Sequence, residues 1–403
     1  MQFRKKLYIV VLAIAGTTFI FSFFLRFSRQ GKDEYNWRIN AKWREIISDE
    51  MNQPESIHQV DSSVVSFMEK YDVPGLSIAI AKDDKLIYTK GYGYADVTTE
   101  EKVKTSSLFR LCSVSKPFTS AAIMKLLQEG KLSMSSKVFG DDGILKYDYG
   151  TLPYPPNITE ITTSDLLHHT SGGWSKGNND PMFIDPSLTS SQLLSSIINN
   201  QPLKNVPGTT YQYSNFGYFV LGRVIEKLTG QSYASYVNSM ILQPVGISDM
   251  QIGGNTKNEK INNEVTYYGQ FGDPYNFNVT RMDANGGWIG SASDLLRFVV
   301  SIDGIACKKD ILDSSTISIM LTPSKAGPTY ACGWASKNNF TDWYHTGGLP
   351  GSATELSNTS IGFSWAILVN TNSDKKDFYK DLDSIVWNAI KDSATLWPGK
   401  DLF

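Results

Sequence analysis

Ser113-Val114-Ser115-Lys116 places a hydroxyl and an amine three residues apart at the head of an amphipathic segment. On a helix, residues i and i+3 share a face, so the Lys116 amine can lie beside the Ser113 oxygen. A serine hydroxyl attacks a carbonyl only when a neighbouring base takes its proton. A helix N-terminus adds free backbone N–H groups and a positive dipole end, both suited to a developing oxyanion. Pro117 fits a first-turn position. Phe118, Ala121, Ala122, Met124, Leu126 and Leu127 follow at helical spacing, and Gly130 supplies a stop. The pattern itself is cheap, since Ser373-Asp374-Lys375-Lys376 repeats it in a charged stretch. A capped, buried helix with a surface lysine would read the same way.

Serine acyl transfer also needs a second proton carrier, oxyanion donors and groups that hold the substrate. Tyr213-Ser214-Asn215 brings a phenol and a carboxamide to a loop–helix junction after the Pro207-Gly208 turn. The same spacing at Tyr236-Val237-Asn238 falls mid-helix and reads as packing. His345-Thr346-Gly347-Gly348 joins a polar pair to small residues, where substrate backbone can approach closely and a glycine N–H can serve as a donor; a glycine turn with an exposed histidine is the plain alternative. Gly173-Trp174-Ser175-Lys176-Gly177 matches a nucleophile elbow but lacks the strand before and the helix after that such an elbow requires. His168-His169, with Asp165, lacks the spacing of a zinc chelate. No metal and no organic cofactor is expected.

The elements that must position these groups follow from periodicity and turn residues. A helix is expected from Ile57 to Tyr71, then a hairpin of Leu76–Ala81 and Leu86–Gly91 about Asp83-Asp84. Further helices are expected from Ser113, over Phe216–Leu228, over Tyr233–Leu242 and over Ser291–Ile302. Strands return at Tyr330–Ala335, Ser352–Leu356 and Phe363–Val369, before a last helix over Lys376–Ile390. Strands at both ends around a helical middle imply an α+β fold: an antiparallel sheet flanked by helices, with an inserted helical lobe at about 131–290 and a cleft between them.

The chain has 403 residues, 41% hydrophobic and 12% aromatic, with a net charge of −2. That balance argues against a nucleic-acid partner, which needs a concentrated basic surface. Residues 7–25 carry no charge and at about 1.5 Å per residue nearly cross a hydrocarbon core of roughly 30 Å. They read as a signal anchor behind a 1–6 cytoplasmic tail containing Arg4, Lys5 and Lys6. A polar stalk (26–55, with Trp37, Ile39, Trp43, Ile46 and Ile47 at helical spacing), a catalytic domain (56–395) and a C-terminal tail (396–403) follow. Sequons at Asn157, Asn278, Asn339 and Asn358 favour a lumenal or extracellular body. The rival is mitochondrial import, since the first acidic residue is Asp33 and the start is basic. Cys112, Cys307 and Cys332 form neither a metal pattern nor a disulfide framework; Cys307 and Cys332 either pair or stay free.

Taken in order, Ser113-x-x-Lys116, Tyr213-x-Asn215 and His345-Thr346-Gly347 resemble the serine β-lactamase and penicillin-binding-protein superfamily in its class C branch. Val73-Pro74-Gly75, Gly91 to Asp96, Asp165 to Gly172 and Gly286-Gly287-Trp288 look alike too, so the resemblance covers about residues 57 to 395. It implies Ser113 as the acylated nucleophile, Lys116 as its proton acceptor, and Tyr213 as proton shuttle. It further implies Asn215, His345, Thr346 and Gly347 as substrate contacts, and the backbone N–H groups of Ser113 and Gly348 as the oxyanion hole. Burial and proximity are expected to lower the Lys116 pKa and to favour tyrosinate at Tyr213, the two titrating as a coupled pair. A Tyr213→Phe change is then expected to abolish the basic limb of the pH–rate profile. His345 stands where β-lactamases carry lysine. This histidine variant is similar to esterases, D-aminopeptidases and the mitochondrial serine β-lactamase-like protein of animals, so a small ester, amide or short peptide is expected rather than penicillin. Partners are such a substrate and, through the anchor, a membrane, with a homo-oligomer admitted. The same fold without catalysis, as a structural assembling protein, is the alternative reading, and a hydrolase acting through Ser175 a third.

Overall fold

The computed structural model describes residues 56–175, 180–305 and 307–403. The expected 1–6 tail, 7–25 anchor and 26–55 stalk lie outside the described residues. Among those described, no helix is long and apolar enough to cross a membrane.

The strands in chain order are β1 (Gly75–Lys82), β2 (Lys85–Asp96), β3 (Glu101–Lys102), β4 (Phe109–Arg110), β5 (Gln251–Ile252), β6 (Tyr268–Gly269), β7 (Trp288–Gly290), β8 (Ala335–Lys337), β9 (Asp342–Leu349), β10 (Ser352–Asn358), β11 (Phe363–Val369) and β12 (Thr371–Asn372). The helices are α1 (His58–Tyr71), α2 (Ser115–Gln128), α3 (Thr163–Leu167), α4 (Ser190–Asn200), α5 (Asn215–Thr229), α6 (Tyr233–Val237), α7 (Ala292–Val299), α8 (Ser314–Met320) and α9 (Phe378–Lys391). The principal sheet runs β3-β2-β1-β11-β10-β9-β8 and is antiparallel at every pairing. Residues from both ends of the chain therefore meet at its centre, where β1 pairs with β11 in the register Leu76↔Val369 to Lys82↔Phe363.

Both faces of the central strands are covered, which explains their unbroken apolar character. Ala79, Ala81, Leu356, Ala366 and Leu368 belong to the main core shared with α2, α5 and α7. Trp365 turns to the other face and meets Trp387 of α9 at 5.4 Å between ring centroids. On that face α1 and α9 are joined through Phe67, Tyr71 and Phe378, whose rings stand 5.0–5.2 Å apart. Between β3 and β8 the chain forms a mostly helical lobe, with β4, β7 and β5 making a small sheet of their own.

Several expected boundaries move. The helix at Ser113 opens as a 3-10 turn over Cys112–Val114 and becomes α-helical only at Ser115. Residues 330–334 are not a strand. Tyr330 makes one bridge to Ala335, and β8 begins there. Gly333, at φ +82°, breaks the extended run and brings the backbone against Ser120 of α2. Beyond Val237 the α6 segment widens into a π-type turn, Asn238–Leu242, before Pro244. The three cysteines are free thiols, Cys307 exposed and Cys332 buried, so no bond joins them. The tail folds back: Leu402 N–H donates to the Leu86 carbonyl at 2.9 Å, and the Phe403 ring lies 3.9 Å from Lys308 Nζ.

Candidate active site

Ser113 sits where β4 gives way to α2. Cys112, immediately before it, takes φ +52°, a left-handed conformation that costs a non-glycine residue strain of about 1 kcal/mol or more. Strand β9 lies against this turn. A Cβ at Gly347 would meet the Leu111 carbonyl, the Thr354 hydroxyl and Cys112 Cβ, so only glycine lets the strand approach. Thr354 in turn donates to the Leu111 carbonyl at 2.8 Å, and Ser352 to the Arg110 carbonyl at 2.8 Å, riveting the turn to β10.

Lys116 is fully buried on the first turn of α2. Its Nζ lies 3.1 Å from Ser113 Oγ, 2.8 Å from Asn215 Oδ1 and 2.7 Å from the Asn285 carbonyl. Asn215 opens α5, which Ser214 caps by accepting from the Gly217 N–H. Its amide is oriented by Asp180: Nδ2 donates to Asp180 Oδ2 at 2.6 Å, which turns Oδ1 toward the lysine. The Asn285 carbonyl comes from the π-type turn Asp283–Gly287, packed against α2 and α5.

Tyr213 shares a hydrogen bond with Ser113, and its ring lies 5.0 Å from Lys116 Nζ. Burial drives its phenol far above the ordinary tyrosine range, and the Ser113 hydrogen bond only partly opposes that shift. The tyrosinate expected from sequence is therefore corrected to a phenol, because desolvation of the anion outweighs the Ser113 hydrogen bond that favours it.

Around Tyr213 stands an aromatic cage with His169 at its hub, 4.2 Å from Tyr213, 4.6 Å from Tyr330 and 5.0 Å from Tyr218 between ring centroids. His169 Nδ1 accepts from the Ser214 N–H at 3.1 Å, so that nitrogen carries no proton. Burial, and then the Lys116 charge, hold the ring well below the usual histidine range. The second ring, His345, is buried on β9. Its Nδ1 faces the Thr346 carbonyl at 2.7 Å and its Nε2 the Tyr330 hydroxyl at 3.0 Å. Nδ1 is the donor to that carbonyl, and Nε2 shares a hydrogen bond with the Tyr330 hydroxyl. Thr346 is half-buried beside it, and Gly348 is exposed. Tyr379 of α9 donates to the Gly347 carbonyl at 3.0 Å and Asn372 to the Leu349 carbonyl at 3.3 Å, so this end of β9 is fixed from behind.

The three sequence motifs thus converge, and of the histidine pair His169 joins them beside Tyr213 while His168 does not. Residues 171–173 are bends, and no strand leads into Ser175. His168 binds the Ser164 and Thr322 carbonyls at 2.9 and 3.1 Å, and among the described residues no metal-ligating cluster occurs. Asn358 is buried at the end of β10, where its amide is little open to a sugar. Two residues escaped the sequence reading. Asp180 carried a faint signal, an acidic cap before Pro181, but nothing announced its partner 35 residues on. His169 was visible only as half of a histidine pair.

The chain belongs to the beta-lactamase family, whose model matches residues 60–386. Protein flp of Staphylococcus aureus (strain MRSA252) is 26% identical over 328 residues, 79% of this chain and 64% of its own length. This chain thus spans just under two thirds of that relative. The octameric penicillin-binding protein homologue from Pyrococcus abyssi superposes with a TM-score of 0.65 at 26% identity, covering 78% of this chain and 73% of that one. The D-amino acid amidase from Ochrobactrum anthropi SV3 shares the fold, with a TM-score of 0.66 at 20% identity over 82% of this chain and 98% of the amidase.

Proposed function

We propose that this chain is a membrane-anchored serine hydrolase that forms an acyl-enzyme on Ser113 with a small ester, amide or short peptide rather than penicillin. The observation that carries the reading is the threefold environment of Lys116 Nζ. Two of its neighbours, the Asn285 carbonyl and Asn215 Oδ1, can only accept. Once deprotonated, the amine can direct its two N–H bonds at them and turn its lone pair to Ser113 Oγ. Asp180 keeps Asn215 in the orientation this requires.

The steps follow from that geometry. Lys116 takes the Ser113 proton as Oγ attacks the carbonyl carbon, and the oxyanion meets the Ser113 and Gly348 N–H groups. The Tyr213 phenol gives its proton to the leaving nitrogen or oxygen as the carbonyl–leaving-group bond breaks, and the Lys116 ammonium restores it. Water then attacks the ester, losing a proton to the Lys116–Tyr213 pair, and Ser113 Oγ leaves as the hydroxyl. Asn215, Thr346 and Gly347 line the substrate's path. His345, committed to Tyr330 and Thr346, offers a carboxylate no fixed cation of the kind a lysine supplies. Penicillin carries such a carboxylate; a simple ester or amide does not.

A fluorophosphonate probe followed by digestion tests the reading. Label on Ser113, lost in Ser113→Ala, together with hydrolysis of 4-nitrophenyl acetate and negligible nitrocefin turnover, is the expected result. Label on Ser175, or none, overturns it. The octameric state of the Pyrococcus abyssi relative makes a homo-oligomer the assembly to look for.

A further inference from the structure

His169 occupies a place that packing alone does not explain. The residue is 1% exposed. Its Nε2 must carry the proton, because Nδ1 accepts from the Ser214 N–H, and that Nε2 has no hydrogen-bond partner among the described residues. A buried donor left unpaired costs stability, and a phenylalanine or a leucine would fill an aromatic cage without it. Such a group calls for an explanation where it stands, and the other ring nitrogen supplies one. Nδ1 accepts at 3.1 Å from the amide that joins Tyr213 to Ser214, one residue ahead of Asn215. The ring thereby holds, through their shared main chain, the two side chains that meet Ser113 and Lys116.

The backbone brings the ring to that amide. His169 takes φ +58°, a left-handed conformation in which histidine is enriched among non-glycine residues. Its own carbonyl accepts from the Gln212 N–H at 2.7 Å, and the Thr170 carbonyl from the Gly208 N–H at 2.8 Å, so this turn runs along the segment that ends in Tyr213. Behind the turn, Asp165 Oδ1 accepts from Thr170 Oγ1 at 3.0 Å, while Oδ2 accepts from the Thr162 N–H at 2.9 Å in the capping box of α3. The cap of α3 thus fixes Thr170, and His169 beside it carries the 212–214 main chain at two points. The His169 and Tyr213 rings also lie against each other, 4.2 Å apart between centroids and inclined at 41°. Burial, then the Lys116 charge, keep the imidazole unprotonated at Nδ1, so the acceptor persists at working pH.

We propose that His169 is the positioning residue for Tyr213: through the Ser214 N–H it sets where the phenol delivers its proton to the leaving group, without touching substrate itself. The proposal rests on the acyl-enzyme reading above. Its test compares 4-nitrophenyl acetate with phenyl acetate in the full chain. Both form the same acetyl-enzyme and differ in the basicity of the departing phenol, so kcat/KM compares acylation alone. A well-placed proton donor matters more to the more basic leaving group. His169→Phe keeps a ring, cannot accept from Ser214, and exchanges one unpaired donor for another, the Nε2–H for the Ser214 N–H. With rates normalised to the fraction of chain that a fluorophosphonate titrates, the expected loss in kcat/KM is about a hundredfold for phenyl acetate and no more than about tenfold for 4-nitrophenyl acetate. His169→Asn, which sets Oδ1 where Nδ1 stands and tolerates the positive φ, is expected to restore the ratio between the two esters to near that of the parent. His169→Ala takes the place of the phenylalanine variant, with the same expectation, should that variant not fold. Equal losses on both esters, or an asparagine variant no better than the phenylalanine, overturn the positioning role and leave the hydrolase standing. A parent chain that neither labels at Ser113 nor turns over either ester removes the hydrolase and the positioning role together.

Discussion

At the scale of single residues the site depends on which atoms accept and which donate. Tyr213 begins as a phenol, held there by burial. A basic limb in the pH–rate profile below about pH 10 therefore belongs to another group. Tyr213→Phe is expected to lower kcat by about a hundredfold or more, the usual reach of a lost proton carrier, and to leave the position of that limb unchanged. A limb that vanishes in the variant would restore the tyrosinate. Asp180 makes a subtler contribution. Asp180→Ala frees the Asn215 amide to present Nδ2 to Lys116, where donor would face donor. We expect kcat for 4-nitrophenyl acetate to fall about tenfold, in line with one misdirected hydrogen bond to a charged or basic group. Asp180→Asn, which also offers an acceptor, should recover part of the loss. Equal losses in both variants would mean that the carboxylate charge matters rather than the orientation of Asn215.

At the scale of elements the catalytic strand is held from both sides, and the rear support contains an acid pair. Glu355 of β10 sits directly across from Thr346. One oxygen accepts from Trp365 Nε1 at 3.1 Å and from Ser357 at 3.0 Å, and the Asp383 carboxylate of α9 acts on the group from nearby. Burial, then the Asp383 charge, push Glu355 well above the carboxylate range. A carboxyl raised on folding stabilises fully below its unfolded pKa of about 4.3, and that contribution is lost as pH rises toward the folded value. Glu355→Gln keeps the acceptor for Trp365 and removes the titration. It is expected to raise Tm by about 2 °C at pH 7.5, for about 1 kcal/mol, and to shrink toward no difference at pH 4. A variant less stable than the parent at pH 7.5 would show that the pair is a net support. Sequence legibility follows the same division. Elements with strong periodicity and clear stops, such as α5 behind Ser214 and ahead of Gly230, lay within a residue or two of expectation. Tyr330–Gly333 misled because an aromatic and apolar run looks like a strand, while a positive-φ glycine and the close approach of α2 decide otherwise. The cleft residues at the three motifs were legible because each chemistry-bearing type stands at a turn or helix start. Asp180 and His169 were not, because their roles exist only across contacts far apart in the chain.

At the scale of the whole molecule the question is how the body described from residue 56 is delivered, and the sequons now bear on it unequally. Asn358 is buried in β10. Asn278 is half-buried, with its amide donating to the Pro186 carbonyl at 2.9 Å and its oxygen accepting from the Arg281 N–H at 2.8 Å. A sugar on Nδ2 would compete with the bond to Pro186. Asn157 is in a different position, half-exposed at a left-handed turn before a short 3-10 segment. We propose that the 7–25 run is an uncleaved anchor with the body in a secretory lumen; the full chain is then expected to stay in the membrane pellet after alkaline carbonate. It should also shift on enzymatic deglycosylation. That shift should shrink in Asn157→Gln and in Asn339→Gln, and be untouched by Asn358→Gln or Asn278→Gln. A chain released by carbonate, or one that shows no glycan shift and is protected from protease inside mitochondria, would replace the secretory anchor with the organellar route. Because Ser113, Lys116 and Tyr213 need only their buried surroundings, esterase activity should survive removal of the glycans in either compartment.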